Sequence, residues 1–190
     1  MLKQLRPYYE VVGVDASEPM LAVAARKLPG VRLVHGDMTR VTLGERFDVV
    51  LCAFDSINHL LRFEEWEAAF DRAHEHLDER GIFVFDVNTE HQLATFVAGP
   101  PWTHWFGDDN LLVMDVVEGG DGASIWSIHV FEHVGGHRYR LHMENIREVA
   151  FPAERIKASL LERFRQVRVY DAERSRPSAR SRRLHFVCRR

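Results

Sequence analysis

The chain is poor in what builds stapled or membrane-spanning folds. Only two of its 190 residues are cysteine, Cys52 and Cys188, and each stands inside an apolar run. No disulfide framework is therefore expected, and a reducing compartment fits. No apolar stretch approaches the roughly 20 residues of a membrane-spanning helix, and residues 1–10 are too short and too polar for a secretory leader. Positive charge is not in excess: the formal net charge is −3, which argues against nucleic acid or an acidic membrane surface as the partner of the whole chain. A cytoplasmic protein acting on a small molecule, with no nucleic acid and no membrane, is the expectation. Glycine is also scarce at the start, where Gly13 is the only one before Gly30. What is present is an ordinary apolar share of 46%, enough for a real core.

Residues 1–90 alternate between strand and helix patterns. Val11–Val14 reads as a strand. Ser17 is placed to cap a helix and Pro19 sits in its first turn, where a missing N–H costs nothing. Met20, Ala24 and Leu28 share one face of that helix, and Pro29-Gly30 stops it. Val31–Val34 is the next strand, and Phe47–Ala53 is apolar enough for a buried central one. Phe63, Trp66, Phe70, Ala73 and Leu77 recur at helical spacing, opposite Glu64, Glu65, Glu67, Asp71 and Glu75. Gly81 then precedes a strand over Ile82–Val87. Such repetition predicts a doubly wound, Rossmann-like α/β sheet. After residue 100 the pattern changes: Leu111–Val117, Ser124–Val134 and Arg138–Val149 are separated by glycine-rich turns. They predict a three-stranded antiparallel cap inserted over residues 99–149, between core segments 1–98 and 150–190. Alternation of Tyr139, Leu141 and Met143 with Arg138, Arg140, His142 and Glu144 predicts a sheet with one wet face. A helix over Ala153–Phe164 and strands over Val167–Tyr170 and Leu184–Cys188 close the chain.

Polar residues gather at the carboxyl ends of the predicted strands, where open α/β sheets bind ligands. Asp15 ends the first, and an acid there suits a ribose diol because a carboxylate accepts two hydrogen bonds. Asp37 follows the second strand, in His35-Gly36-Asp37-Met38. Asp55, Ser56 and Asn58 follow the third, and Asp86-Val87-Asn88-Thr89 ends the fourth. A phosphate- or cofactor-cradling loop normally lies about 20 residues before such an acid. The fourteen residues from Met1 to Val14 hold one glycine, Gly13, inside the strand.

The order VVGVDASEPML, VHGDM, FDVVLCAFDSINHL and GIFVFDVNT resembles the class I S-adenosylmethionine-dependent methyltransferases. The likeness is to the small-molecule branch that carries an antiparallel insert. It covers roughly residues 2–90 by motif and the rest by element order. The resemblance implies S-adenosyl-L-methionine as cofactor, and methyl transfer to N or O of a small-molecule acceptor. It places Asp15 on the ribose hydroxyls, Ala16 and Met20 beside the adenine, Asp37 on the adenine amino group and the N–H of Met38 at the ring edge. Ala53 and Phe54 would border the sulfonium, whose charge suits an aromatic face. Asp55, Ser56 and His59 would line the way to the acceptor, with His59 or Asp55 as the catalytic base if the acceptor is a hydroxyl. The family's first strand and glycine-rich loop are expected to be lacking, and Leu2–Tyr9 resembles only the end of the helix that follows that loop.

Plainer readings stand beside these. Asp15 suits a helix N-terminus, Asp37 a turn, Met20 the core and His59 a loop. His129, His133 and His137 recur every fourth residue, but on a strand and past a turn, so no metal site is expected. Trp102 and Trp105 read as packing for the link to the insert or as an acceptor wall. The stretch Arg174–Arg183 reads as a solvated hairpin tip or an anion contact. Two other functions compete: a truncated relative that folds, as a homodimer, without catalysing, and a nicotinamide-dependent oxidoreductase. The latter lacks a recognisable hydride-transfer constellation.

Overall fold

A short helix, α1 (Leu2–Leu5), leads to strand β1 (Val12–Asp15). Helix α2 (Glu18–Lys27) starts as its sequence predicts: the Ser17 hydroxyl accepts the Met20 N–H at 3.3 Å, and Pro19 sits in the first turn. Strand β2 (Arg32–His35) then lies parallel to β1, with Asp15 opposite His35. Gly13 lets side chains close over the strand: a Cβ there would come within 2.8 Å of a Leu33 methyl and 2.9 Å of a Leu2 methyl, and both would have to shift. Met20, expected in the core, is instead 58% exposed. Only Leu28 at the far end of that apolar stripe is buried. The computed structural model describes residues 1–174 and 176–190; Ser175, within the basic stretch singled out above, lies outside the described residues.

The main core forms around β3 (Phe47–Cys52), α3 (Phe63–Glu75) and β4 (Leu77–Asn88). β3 and β4 are parallel. The predicted stripe on α3 buries Phe63, Trp66, Phe70 and Ala73 against Phe83, Phe85 and Val87 of β4. Burying one such aromatic side chain is worth about 2–3 kcal/mol. Helix α4 (Glu90–Val97), which the pattern reading left unassigned, is capped by Thr89, whose hydroxyl accepts the Gln92 N–H at 3.1 Å.

The insert corrects the three-strand expectation. It is a four-stranded antiparallel sheet in sequence order: β5 (Trp102–Phe106), β6 (Asn110–Glu118), β7 (Ser124–His133) and β8 (Tyr139–Glu148). The missed strand is short and follows Pro100-Pro101, so Trp102 and Trp105 passed for a linker. The turn after it is tight, with positive φ at Gly107 and Asp109. One face of this sheet packs Met114, Val116, Trp126 and Ile146 on Leu93, Phe96 and Val97 of α4. The other face is not buried by the alternation, contrary to expectation. Trp105, Leu111, Phe131 and Leu141 form a cross-strand row, and Trp105, Leu141 and Met143 are 60%, 47% and 68% exposed. Both faces of β8 are therefore wet over residues 139–145, and only its end at Ile146 and Glu148 is covered.

Helix α5 (Ala153–Leu161) returns the chain to the core; it stops short of Phe164, which is buried beyond its end. Strands β9 (Gln166–Asp171) and β10 (Arg183–Arg189) complete a sheet of order β3-β4-β10-β9, with β10 antiparallel to both neighbours. Phe186, Leu184 and Cys188 on β10 join the face covered by α3 and α5. The core is thus divided into two sheets rather than one. Among the described residues β1 pairs only with β2 and β3 only with β4. Val49 and Leu51, on the face of β3 away from α3, are 47% and 39% exposed.

Candidate active site

The strand ends assemble as the sequence placed them. Asp15 is exposed at the end of β1, and its Oδ1 accepts the Ser17 N–H at 2.8 Å, the first free amide of α2. The backbone of Gly36 donates to the Asp15 carbonyl at 3.0 Å, so Asp37 lies at the adjoining strand end. Asp37 Oδ1 accepts both the N–H and the hydroxyl of Thr39 at 2.8 Å each, which orders the turn and leaves the other oxygen open. Met38 packs its side chain on the main core. The Ala16 carbonyl is engaged by His35 Nε2 at 2.9 Å, and Met20 stands exposed one helical turn further on.

At the end of β3 the backbone is strained. Phe54 and Asp55 are consecutive non-glycine residues in the left-handed region, with φ of 62° and 52°. Each costs on the order of 1–2 kcal/mol. Asp86 of β4 holds them there: Oδ1 accepts the Phe54 N–H at 2.7 Å and Oδ2 the Asp55 N–H at 3.2 Å. Phe54 consequently points outward, 70% exposed, at the rim of a cavity of about 200 Å³ that Ala53, Asp86 and Arg183 also line.

Behind this turn is a buried polar network. Arg183, the first residue of β10, donates to Asp55 Oδ1 at 2.7 Å and to Asn88 Oδ1 at 3.1 Å, and pairs with Asp86. Asn88 Nδ2 donates to Asp55 Oδ2 and to Glu148 Oε2, both at 3.0 Å. One guanidinium thus serves two carboxylates, Asp55 and Asp86, and Asn88 links Asp55 to Glu148. Burial, more than any other influence, raises the Glu148 carboxyl above its ordinary range, and the Asn88 hydrogen bond only partly opposes it. Burial and then the Asp86 charge push the Cys52 thiol up to about 12.

Asp55 and His59, the two expected bases, are held apart. Asp55 has both oxygens engaged by Arg183 and Asn88. His59 ends the short 3-10 turn Ser56–His59 and faces the insert, its Nδ1 3.4 Å from the Arg147 carbonyl. It lines a second cavity with Leu60, Leu61, Arg62, Glu65 and Asp121. Arg62 bonding lowers the Glu65 carboxyl, and Arg147 likewise lowers that of Asp121. The sequence reading missed Arg183 and Glu148. Arg183 was hidden in a basic run, and Glu148 in a strand whose polar face offered four other candidates. The usable signal was alternation in β10, where Arg183 and His185 fall opposite the apolar Leu184, Phe186 and Cys188.

Residues 1–81 match a methyltransferase domain family. The chain is 42% identical over 76 residues to a dTDP-3-amino-3,6-dideoxy-alpha-D-glucopyranose N,N-dimethyltransferase of Streptomyces fradiae, covering 40% of this chain and 30% of that protein. It is 35% identical over 123 residues to a dTDP-3-amino-3,4,6-trideoxy-alpha-D-glucopyranose N,N-dimethyltransferase of Streptomyces venezuelae, covering 63% of this chain and 45% of the relative. It therefore spans less than half the length of these curated relatives. A crystal structure of an S-adenosylmethionine-dependent methyltransferase from Clostridium acetobutylicum superposes with a TM-score of 0.85 at 22% identity, over 98% of this chain and 78% of that one. The chain has the class I S-adenosylmethionine-dependent methyltransferase fold.

Proposed function

We propose that this protein transfers a methyl group from S-adenosyl-L-methionine to a nitrogen or oxygen of a small-molecule acceptor of the amino-sugar class. The observation that carries the reading is the alignment of Asp15 and Asp37 at adjoining ends of β1 and β2, each with one oxygen tied to its own turn. The residues present fit the adenosine part of the cofactor. Asp15 is exposed and offers an open oxygen to a diol, Asp37 offers one to an exocyclic amine, and Ala16, Met20 and the Met38 N–H lie around them. Phe54 presents an exposed aromatic face to a cation. When bound, the cofactor supplies the activated methyl group.

The chain's own residues supply alignment. Holding the two reactants in line accounts for a barrier reduction on the order of 7–11 kcal/mol. An amine acceptor arriving neutral needs no strong base, and for a hydroxyl His59 is the group with an accessible ring nitrogen. The insert, anchored to the core beside His59, closes over the acceptor and sets its size. A homodimer belongs to the same reading. The apolar row Trp105, Leu111, Phe131 and Leu141 supplies a face for it, and sedimentation of the wild type against Leu141→Glu reads it directly.

Titration calorimetry with S-adenosylhomocysteine tests the cofactor reading. A binding heat that Asp15→Ala abolishes or weakens by about ten- to a hundredfold is expected, since one hydrogen bond to a charged group is worth about 1.5–3 kcal/mol. No heat at millimolar ligand overturns it. A second reading, ligand binding without catalysis, draws on the engaged state of both Asp55 oxygens. Binding heat with no methyl transfer to any amino-sugar nucleotide supports that one instead.

A further inference from the structure

We propose that Arg183 is the positioning residue that aims Phe54 at the sulfonium of the cofactor. This rests on the methyl-transfer reading and deepens it. Phe54 and Asp55 would relax out of the left-handed region unless held, because no glycine is present to make that conformation cheap. The Asp86 carboxylate grips both amides. Asp86 itself is buried, at 5% exposure, and a carboxylate in that position needs a paired, hydrogen-bonded partner to offset its lost hydration. Arg183 is that partner. Its planar fork spans Asp86 and Asp55 at once and reaches Asn88 as well, a geometry that a lysine ammonium does not reproduce. The fork therefore fixes both ends of the strained pair: the carboxylate that grips the amides and the side chain of the second residue.

The consequence falls on charge recognition. Phe54 stands at the end of β3, which among the described residues pairs with neither β1 nor β2, where the adenosine-holding residues lie, so its ring is assigned to the sulfonium alone. S-adenosylmethionine carries that charge and S-adenosylhomocysteine does not. A general loosening of the fold weakens both ligands alike, whereas a misaimed ring weakens only the charged one. Calorimetry with both ligands is run on wild type, Arg183→Gln, Phe54→Leu and the double variant. In Arg183→Gln, affinity for S-adenosylmethionine should fall about three- to tenfold more than affinity for S-adenosylhomocysteine, as expected for loss of one cation–π contact. Phe54→Leu should show the same selective loss, and the double variant should lose no more than either. Equal losses for the two ligands, no loss, or additive selective losses overturn the proposal. If Arg183→Gln does not fold, Arg183→Lys keeps the charge without the fork and is held to the same outcome. A wild type that binds neither ligand overturns the methyl-transfer reading itself, and this inference with it.

Discussion

Asn58 and Val149 exchange hydrogen bonds between the core and the end of the insert: Asn58 Nδ2 donates to the Val149 carbonyl at 2.8 Å, and the Val149 N–H donates to the Asn58 carbonyl at 2.9 Å. Asn58 is fully buried and also bonds the backbone of Asn88 in both directions. Replacing it with alanine leaves the Asn88 N–H and the Asn88 and Val149 carbonyls without their partner. Asn58→Ala should lose on the order of 3 kcal/mol in urea denaturation, since each orphaned buried group costs about 1–3 kcal/mol. A loss under about 0.5 kcal/mol would show that water replaces the amide.

Glu148 gives a pH dependence of a definite sign. Its carboxyl is raised above its ordinary value of 4.5 by burial, so between 4.5 and the raised folded value the native state binds more protons than the unfolded one. Stability then falls as pH rises through that window, and the cost is fully present above it. Glu148→Gln keeps an acceptor for Asn88 and removes the titration. Unfolding free energies measured from pH 5 to pH 8 should decline less steeply in the variant than in the wild type, and the variant should gain most at pH 8. Parallel curves would be contrary to this assignment.

The thiols of Cys52 and Cys188 are both pushed up to about 12, chiefly by burial. Against the ordinary thiol value of 9.0 the thiolate population at neutral pH is lower by roughly a thousandfold. Alkylation by iodoacetamide, followed by mass spectrometry, should therefore be slow in the native protein and complete within minutes in urea. Rapid native labelling at either cysteine would contradict the burial of that strand.

The two faces of the insert should respond to substitution in opposite ways. Trp126 is buried against α4, so Trp126→Ala should cost about 3–5 kcal/mol. Met143 is 68% exposed, so Met143→Lys should change stability by less than about 0.5 kcal/mol. Thermal melts of the two variants separate these outcomes. A large loss from Met143→Lys would mean that the open face is covered in solution.

Much of this architecture was legible because local chemistry and global fold agree. Ser17 and Pro19 mark a helix start that the structure keeps, and the α3 stripe from Phe63 to Ala73 is the core its spacing predicts. Failures came where local pattern was decoupled from burial. Met20 fits an apolar helical face, yet its side chain has no layer to enter. Tyr139, Leu141 and Met143 alternate as a buried strand would, yet nothing in the described chain covers them. Periodicity reports which residues share a face; whether that face is covered depends on elements far away in sequence. The site shows the same limit. Asp15, Asp37 and Phe54, the residues of the proposed site, could be picked out because strand ends are local, whereas Arg183 reaches Asp55 across 128 residues and no short-range signal announces it.

That separation also orders the folding of the chain. α3 and β4 are neighbours in sequence and their contacts close short loops, while β10 must find its place between β4 and β9 before Arg183 meets Asp55. Contacts of such long range form late, because the entropy of closing the loop is lost before the contact returns any energy. The Arg183 network therefore closes in the same step that completes the core, since Leu184, Phe186 and Cys188 of β10 are buried in it.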